Sequence, residues 1–258
     1  MSSVVPFEVN ALKSMKSYPS SLFYKGDLSL LKRPKVSIVG TRKPSSYTQK
    51  LTYELSRALA KRGVCVVSGG AMGVDAIAHK GAGSSNTIAV VASGLDIRYP
   101  AVNKNLLASI ENEGLVLSQF KEGFKATGWS FVVRNEVVVA LGDILVVSEA
   151  DLKSGSMRSV EFALKMKKPI YVLTHRIGES LATNKLLDEG KAKAIYNIET
   201  FSSQFGKSVD DGVVKDDFFY FCQTSPTFDA VVEKFGERVY EAELEGAITI
   251  QNGMVRLS

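Results

Sequence analysis

Four glycine-bearing segments each follow an apolar run, and none brings a catalytic nucleophile with it. They are Gly40-Thr41-Arg42, Ser68-Gly69-Gly70-Ala71-Met72-Gly73-Val74-Asp75, Ser93-Gly94-Leu95-Asp96 and Lys153-Ser154-Gly155-Ser156. Bare backbone N–H groups at strand-to-helix turns make anion sites. One such turn suggests a nucleotide. Four along one chain suggest a ligand with several phosphates, and a nucleic-acid strand is the obvious candidate.

Side chains around these turns add specific possibilities. Arg42 offers a fork of donors matched to a phosphate. Trp129, Phe131 and Arg134-Asn135 place aromatic faces near a guanidinium, so that a base could stack while Arg134 meets a phosphate. Lys153 to Ser156 combine hydroxyls, amides and a lysine, although an N-cap with a surface lysine has the same composition. Asp75 reads equally as a charge compensating a helix dipole. His79 reads as a hydrogen-bonded structural residue, and Asp96, Pro100 and Asn103 as organisers of loops. Lys165, Lys167 and Lys168 fit a helix C-terminus. No G-x-G-x-x-G and no G-x-x-x-x-G-K-[ST] occurs, which disfavours dinucleotide redox and nucleotide hydrolysis.

The elements that must position these residues follow from apolar patterning. Val36–Val39, Val64–Val67, Thr87–Val91, Leu115–Leu117, Ile144–Val147 and Pro169–Leu173 are short apolar runs without alternation, as in strands covered on both faces. Between them lie helical stretches, the first from about Tyr47 to Arg62 with Leu51, Leu55 and Leu59 on one stripe and a Ser46/Gln49 capping box. Strand–helix alternation predicts an α/β fold, a doubly wound parallel sheet whose ligands sit at the carboxyl ends of the strands. All four glycine turns fall at those ends.

Four divisions are expected: a short irregular extension (1–33), a sheet domain (34–204), a polar linker (205–215) and a small C-terminal domain (216–258). In the last, helices at Thr227–Phe235 and Val239–Glu245 precede a hairpin turning at Asn252-Gly253, a winged-helix-like order. Its would-be recognition helix carries Glu237, Glu241, Glu243 and Glu245, which a phosphate-lined groove would repel. Residues 1–62 hold twelve Lys/Arg against three Asp/Glu, and residues 208–258 hold four against ten, so a basic front could track phosphates that the acidic tail should avoid, although charge runs are usually no more than solvated surfaces.

Bulk properties exclude several classes. No apolar run reaches the roughly 18 residues of a transmembrane helix, and no secretory signal pattern opens the chain. Cys65 and Cys222 form no CxxC pair and, with two histidines, no zinc site, which fits a reducing, cytoplasmic setting with no metal or cofactor.

The ordered matches Ile38-Val39-Gly40-Thr41-Arg42, Ser68 through His79, Thr87-Ile88-Ala89-Val90, Gly94-Leu95-Asp96, Tyr99-Pro100, Asn103, Phe131, Arg134-Asn135 and Ser154-Gly155-Ser156 resemble the DNA-processing protein A (DprA, also called Smf) family over roughly residues 20–200. The resemblance implies an extended Rossmann-like domain with a small winged-helix-like partner, homodimerisation, and non-enzymatic, sequence-independent binding of single-stranded DNA. It also implies protection of incoming DNA and loading of the RecA recombinase during natural transformation. Matching positions put Gly40, Thr41, Arg42, Ser68, Gly69, Gly70, Gly94, Phe131, Arg134, Asn135, Lys153, Ser154, Gly155 and Ser156 at the DNA groove. The chain departs from the family pattern at Ser118-Gln119, where Ser-Glu is usual, and at Glu136, where arginine is common. The N-terminal helical domain of longer members has no counterpart in residues 1–33.

Two other readings stay open on sequence. A related Rossmann-like class of nucleotide phosphoribohydrolases shares the sheet, but its Pro-Gly-Gly-x-Gly-Thr-x-x-Glu motif is replaced here by Ser154 to Glu161. A winged-helix regulator with a ligand-sensing sheet is opposed by the acidic helix.

Overall fold

The computed structural model describes residues 2–207, 216–244 and 246–257, and the chain divides into two compact units, Met1–Ser208 and Val209–Ser258. The first unit runs β1 (Ser3–Val4), β2 (Phe23–Gly26), β3 (Lys35–Val39), α1 (Ser46–Lys61), β4 (Cys65–Ser68), α2 (Val74–Ala82), β5 (Thr87–Val90), α3 (Lys104–Glu113) and β6 (Leu115–Ser118). It continues with α4 (Gly128–Leu141), β7 (Ile144–Val147), α5 (Ser156–Lys165), β8 (Ile170–Leu173), α6 (Leu181–Asp188), β9 (Lys193–Ile195) and α7 (Ile198–Ser202).

Nine strands form one sheet in the order β1-β2-β6-β5-β4-β3-β7-β8-β9. From β6 to β9 every pairing is parallel, so the doubly wound sheet expected from the apolar runs is present. Every residue of β3, β4, β5, β6 and β7 is buried, which explains why these strands carry no polar alternation. Val36, Ile38, Val66 and Val146 pack with Leu55, Leu59, Val74 and Ala78 of α1 and α2 on one face. Val67, Ile88, Val90 and Val147 pack with Val137 to Leu141 of α4 and Val160 and Ala163 of α5 on the other. Chain order reverses at β3, whose neighbours are β4 and β7, and such a switch point opens a crevice at the carboxyl edge.

Residues 1–33 differ from the irregular extension expected. β2 pairs antiparallel with β6, with Phe23 opposite Ser118, and β1 pairs antiparallel with β2. Leu12, Leu22, Leu30 and Leu31 are core residues of the first unit. Strands of two and four residues are too short to show a period, and the partner that ties β2 into the sheet lies some ninety positions away in sequence.

Smaller corrections concern helix ends. The cap of α1 is Ser45, whose hydroxyl accepts from Thr48 N at 3.2 Å, while Gln49 donates back to Pro44 O. Lys168 does not complement α5: its ammonium donates to Ala140 O at 2.6 Å and to Gly142 O, closing the end of α4, and burial pushes its pKa down to about 8.

Of the expected linker, residues 208–215 lie outside the described residues. Phe205 packs against Phe201 of the first unit. The second unit holds α8 (Asp217–Gln223), α9 (Phe228–Phe235), α10 (Arg238–Leu244) and a hairpin of β10 (Ile248–Gln251) and β11 (Met254–Leu257). Phe218, Cys222, Val231, Val239, Ile248 and Val255 form its own core. Glu237, Glu241 and Glu243 lie on or beside α10, whereas Glu245 falls outside the described residues. Among the described residues no helix is long and apolar enough to cross a membrane.

Candidate nucleic-acid interface

A cleft of about 610 Å³ opens at the switch point, over the carboxyl ends of β3, β4 and β7. Gly40, Thr41 and Arg42 line it from the turn after β3, and Gly69, Ala71 and Asp75 from the turn after β4. Phe131, Arg134 and Asn135 line it from α4, and Ser154, Gly155 and Ser156 from the start of α5. Ten of the expected site residues therefore converge from four segments. Ser68, Gly70, Gly94 and Lys153 are not on the wall. The Ser68 hydroxyl is buried and donates to Ile38 O at 2.6 Å, tying β4 to β3. Gly94 packs against the backbone after β6, where its N–H donates to Phe124 O, and Lys153 points to solvent.

The glycine turn after β4 departs from the expected open anion nest. Ala71 N donates to Asp75 Oδ2 at 3.3 Å, so the turn holds the chain's own carboxylate. Asp75 Oδ2 also lies 3.7 Å from Nη1 of Arg134, and both side chains are almost wholly buried. Nη1 donates to Val90 O at 3.2 Å. Burial pushes the Asp75 carboxyl up and the Arg134 guanidinium down, and their proximity opposes both shifts. Arg134 is thus a buried strut of the groove floor, not a free phosphate fork. Gly69 makes room for it: a Cβ there would sit 1.3 Å from Nη1. Asn103, just before α3, donates to Gly70 O and Ala71 O at 3.0 Å each and so holds the turn. Gly73, at φ +76°, lies so close to Thr41 and Arg42 that a Cβ would meet Thr41 O at 2.4 Å. The turn after β3 is likewise committed, since Thr41 N donates to Glu149 O and Val74 N to Thr41 O.

The groups left without partners are spread around the cleft. α5 begins without a side-chain cap hydrogen bond, and its first turn is closed by backbone alone, with Met157 N donating to Ser154 O at 3.1 Å and Arg158 N to Gly155 O at 3.2 Å. The hydroxyls of Ser154 and Ser159 and Nε of Arg134 are buried and have no hydrogen-bond partner among the described residues. Groups in that state are costly unless a ligand or water meets them. Arg42 is exposed, and its guanidinium carbon lies 5.5 Å from the centre of the Phe131 ring, with that of Arg134 at 5.8 Å.

Sequence reasoning missed three contributors. Tyr99, half exposed, sets its ring 6.0 Å from Phe131 and lines a small side recess with Met72. Arg158 adds a second exposed cation to the wall. Asp75 was legible only as a helix-start charge, because its role depends on Arg134, fifty-nine positions later. Trp129 faces away from the cleft, against Phe120 and Phe124. Glu136 accepts from Lys16 N at 3.1 Å and does not line the cleft.

His79 is fully buried beneath the turn. Thr87 Oγ1 donates to Val66 O, so it must accept from Nδ1–H of His79 at 2.7 Å, leaving Nε2 unprotonated and unpartnered. Burial, reinforced by Arg134, pushes the His79 pKa down to about 3. The unfolded chain takes up this proton near pH 6.5, whereas the folded chain resists it. Stability therefore falls as pH drops below about 6.5 toward 3, by roughly 1.4 kcal/mol per pH unit within that window. Urea midpoints at pH 7 and pH 5 should differ in the native chain and differ less in His79→Asn. Equal slopes would remove His79 as the cause. Asp75, shifted upward, has the opposite sign and offsets part of the loss in the native chain and the variant alike. No group of three or more metal-ligating side chains occurs among the described residues.

A sequence profile of the DNA recombination-mediator protein A family matches residues 7–206. DNA processing protein DprA of Streptococcus pneumoniae is 35% identical over 198 residues, 75% of this chain and 70% of its own. Its Bacillus subtilis namesake is 32% identical over 193 residues, 73% of this chain and 65% of its own. Protein Smf of Synechocystis is 38% identical over 168 residues, which span only 42% of that relative. Among solved structures, DNA processing protein A from Helicobacter pylori, described for its single-stranded DNA binding mode, superposes with a TM-score of 0.77 at 41% identity. The match covers 79% of this chain and 95% of that one. The Streptococcus pneumoniae structure gives 0.73 at 32% identity, covering 81% and 75%.

Proposed function

The chain belongs to the DNA recombination-mediator protein A family, and from that premise we propose that it binds single-stranded DNA without regard to sequence and without chemical conversion of it. The observation that carries this reading is the set of buried, unpartnered polar atoms of Ser154, Ser159 and Arg134 around an aromatic–guanidinium floor. The unpartnered hydroxyls of Ser154 and Ser159 and the exposed guanidiniums of Arg42 and Arg158 suit phosphates. The rings of Phe131 and Tyr99 suit bases of any identity, because every base has a face to stack.

The same reading extends to the biology that the family resemblance implies: protection of an incoming strand, delivery of it to the RecA recombinase during natural transformation, and action as a homodimer. A cytoplasmic setting accords with Cys65 and Cys222, both free thiols. The glutamates of α10 would be repelled by phosphates, which favours a stabilising or protein-contacting module over a DNA reader for the second unit.

Titration of fluorescent oligothymidine across a salt series tests the proposal. Affinity should fall linearly with salt on logarithmic axes, with little change when base order is altered. Arg42→Ala should weaken binding about tenfold and reduce the salt slope by about one. A protein that ignores single strands at low salt sinks the reading.

A further inference from the structure

A second cavity, of about 450 Å³, lies at the same edge of the sheet, at the end of β8. Ser45 and Tyr47 at the start of α1 form one side of it, and Thr174, His175, Arg176 and Glu179 after β8 form the other. None of these six lines the cleft described above.

Tyr47 is 48% exposed, yet its ring is fixed. Its hydroxyl donates to Thr174 O at 3.0 Å, and the His175 ring meets it edge-on with centroids 5.8 Å apart. His175 in turn donates from Nε2 to Ser148 O at 2.7 Å, just past the end of β7. An exposed aromatic held in this way is a stacking platform whose ordering cost is already met before a ligand arrives. Arg176 supplies an exposed guanidinium at the rim, and the Glu179 carboxylate an acceptor for a base N–H or a sugar hydroxyl.

One short turn separates the two cavities. Arg42 borders the cleft and Ser45 borders this pocket, and three residues span at most roughly 11 Å between their Cα atoms. Lys43 is exposed on the turn between them. A strand leaving the cleft over Lys43 thus meets a cation, an aromatic face and a second cation in succession.

Resting on the single-strand reading above, we infer that the Tyr47–Arg176 pocket is a second nucleotide subsite, which takes a base of the same strand beyond those held in the cleft. The ligand is a stacked nucleotide with its phosphate on Arg176. Its source is the continuing polymer, not a free mononucleotide, because the cationic turn joins the two sites.

The test titrates the full chain with a short oligothymidine that fills only the cleft and with one several times longer. Tyr47→Leu and Arg176→Glu should bind the short oligomer as the unaltered chain does and lose about tenfold on the long one, within the range of one stacked base. Tyr47→Phe, which keeps the ring but loses its anchor to Thr174 O, should lose clearly less on the long strand than Tyr47→Leu and also report that the fold survives at this position. Arg42→Ala should weaken both lengths. Native affinity of Tyr47→Leu and Arg176→Glu for the long strand overturns the subsite while leaving the cleft standing. Equal weakening on both lengths overturns it too, since the pocket would then be part of the primary contact. Full competition of the long strand's extra affinity by thymidine monophosphate would assign the pocket to a free nucleotide. If the unaltered chain ignores both oligomers, the preceding reading fails and this one with it.

Discussion

Replacing Asp75 by alanine should lower the stability of the first unit by about 3–5 kcal/mol, the range for removing one member of a buried ion pair. Arg134 is 4% exposed, and its guanidinium faces Asp75 at 3.7 Å, with Val90 O as its hydrogen-bond acceptor. Without the carboxylate, a cation stays buried with one neutral partner, and Ala71 N loses its acceptor as well. Asp75→Asn should cost less, because an amide oxygen can still accept from Ala71. The pair Asp75→Leu with Arg134→Met should recover much of the loss, since apolar groups of similar volume often replace a buried ion pair without penalty. Urea unfolding followed through Trp129 measures this directly. It is the sole tryptophan, it sits in the first unit, and it packs edge-on against Phe120 and Phe124. A loss under about 1 kcal/mol for Asp75→Ala would mean that the pair is not what holds the groove floor.

Gly69→Ala should cost the cleft its shape. The added methyl would lie 1.3 Å from Nη1 of Arg134 and 2.6 Å from Oδ2 of Asp75, so both cannot stay. Arg134 is the movable partner, and moving it breaks its bond to Val90 O and tilts the guanidinium under Phe131. The expected outcome is a stability loss of about 1–3 kcal/mol and at least a tenfold loss in oligothymidine affinity. Gly155→Ala is the control for stability. Nothing lies within 4 Å of a Cβ there, and its φ of −59° suits alanine, so the urea midpoint should not move. Equal midpoints and equal affinities for Gly69→Ala and the unaltered chain would show that the turn yields more readily than its packing implies.

The sheet was legible because each central strand is covered on both faces, and that coverage writes an uninterrupted apolar run such as Ile144 to Val147. The location of the cleft was legible for a related reason: in a doubly wound sheet the turns at one edge must converge, and Gly40, Gly69 and Ser154 to Ser156 do so. What each turn offers was not legible. Whether an amide is bare depends on which distant acceptor reaches it, and here Glu149 O takes Thr41 N while Asp75 takes Ala71 N. Arg134 looked like a surface fork because its neighbours in sequence are mixed. Its burial is decided by how α4 lies over β4 and β5, which contact it through Val137 to Leu141. The strands of the first 33 residues were hidden for a similar reason, because pairing with β6 gives so short a segment its structure.

That pairing has a consequence far from the cleft. Leu115 to Ser118 of β6 are all buried, and without β2 alongside they would present a row of unsatisfied backbone groups on an apolar strand. Such a rim recruits strands from neighbouring molecules. β2 covers it, and β1, only two residues long, leaves almost nothing for another chain to extend. The first strands of the unit therefore shield that rim from pairing with another chain.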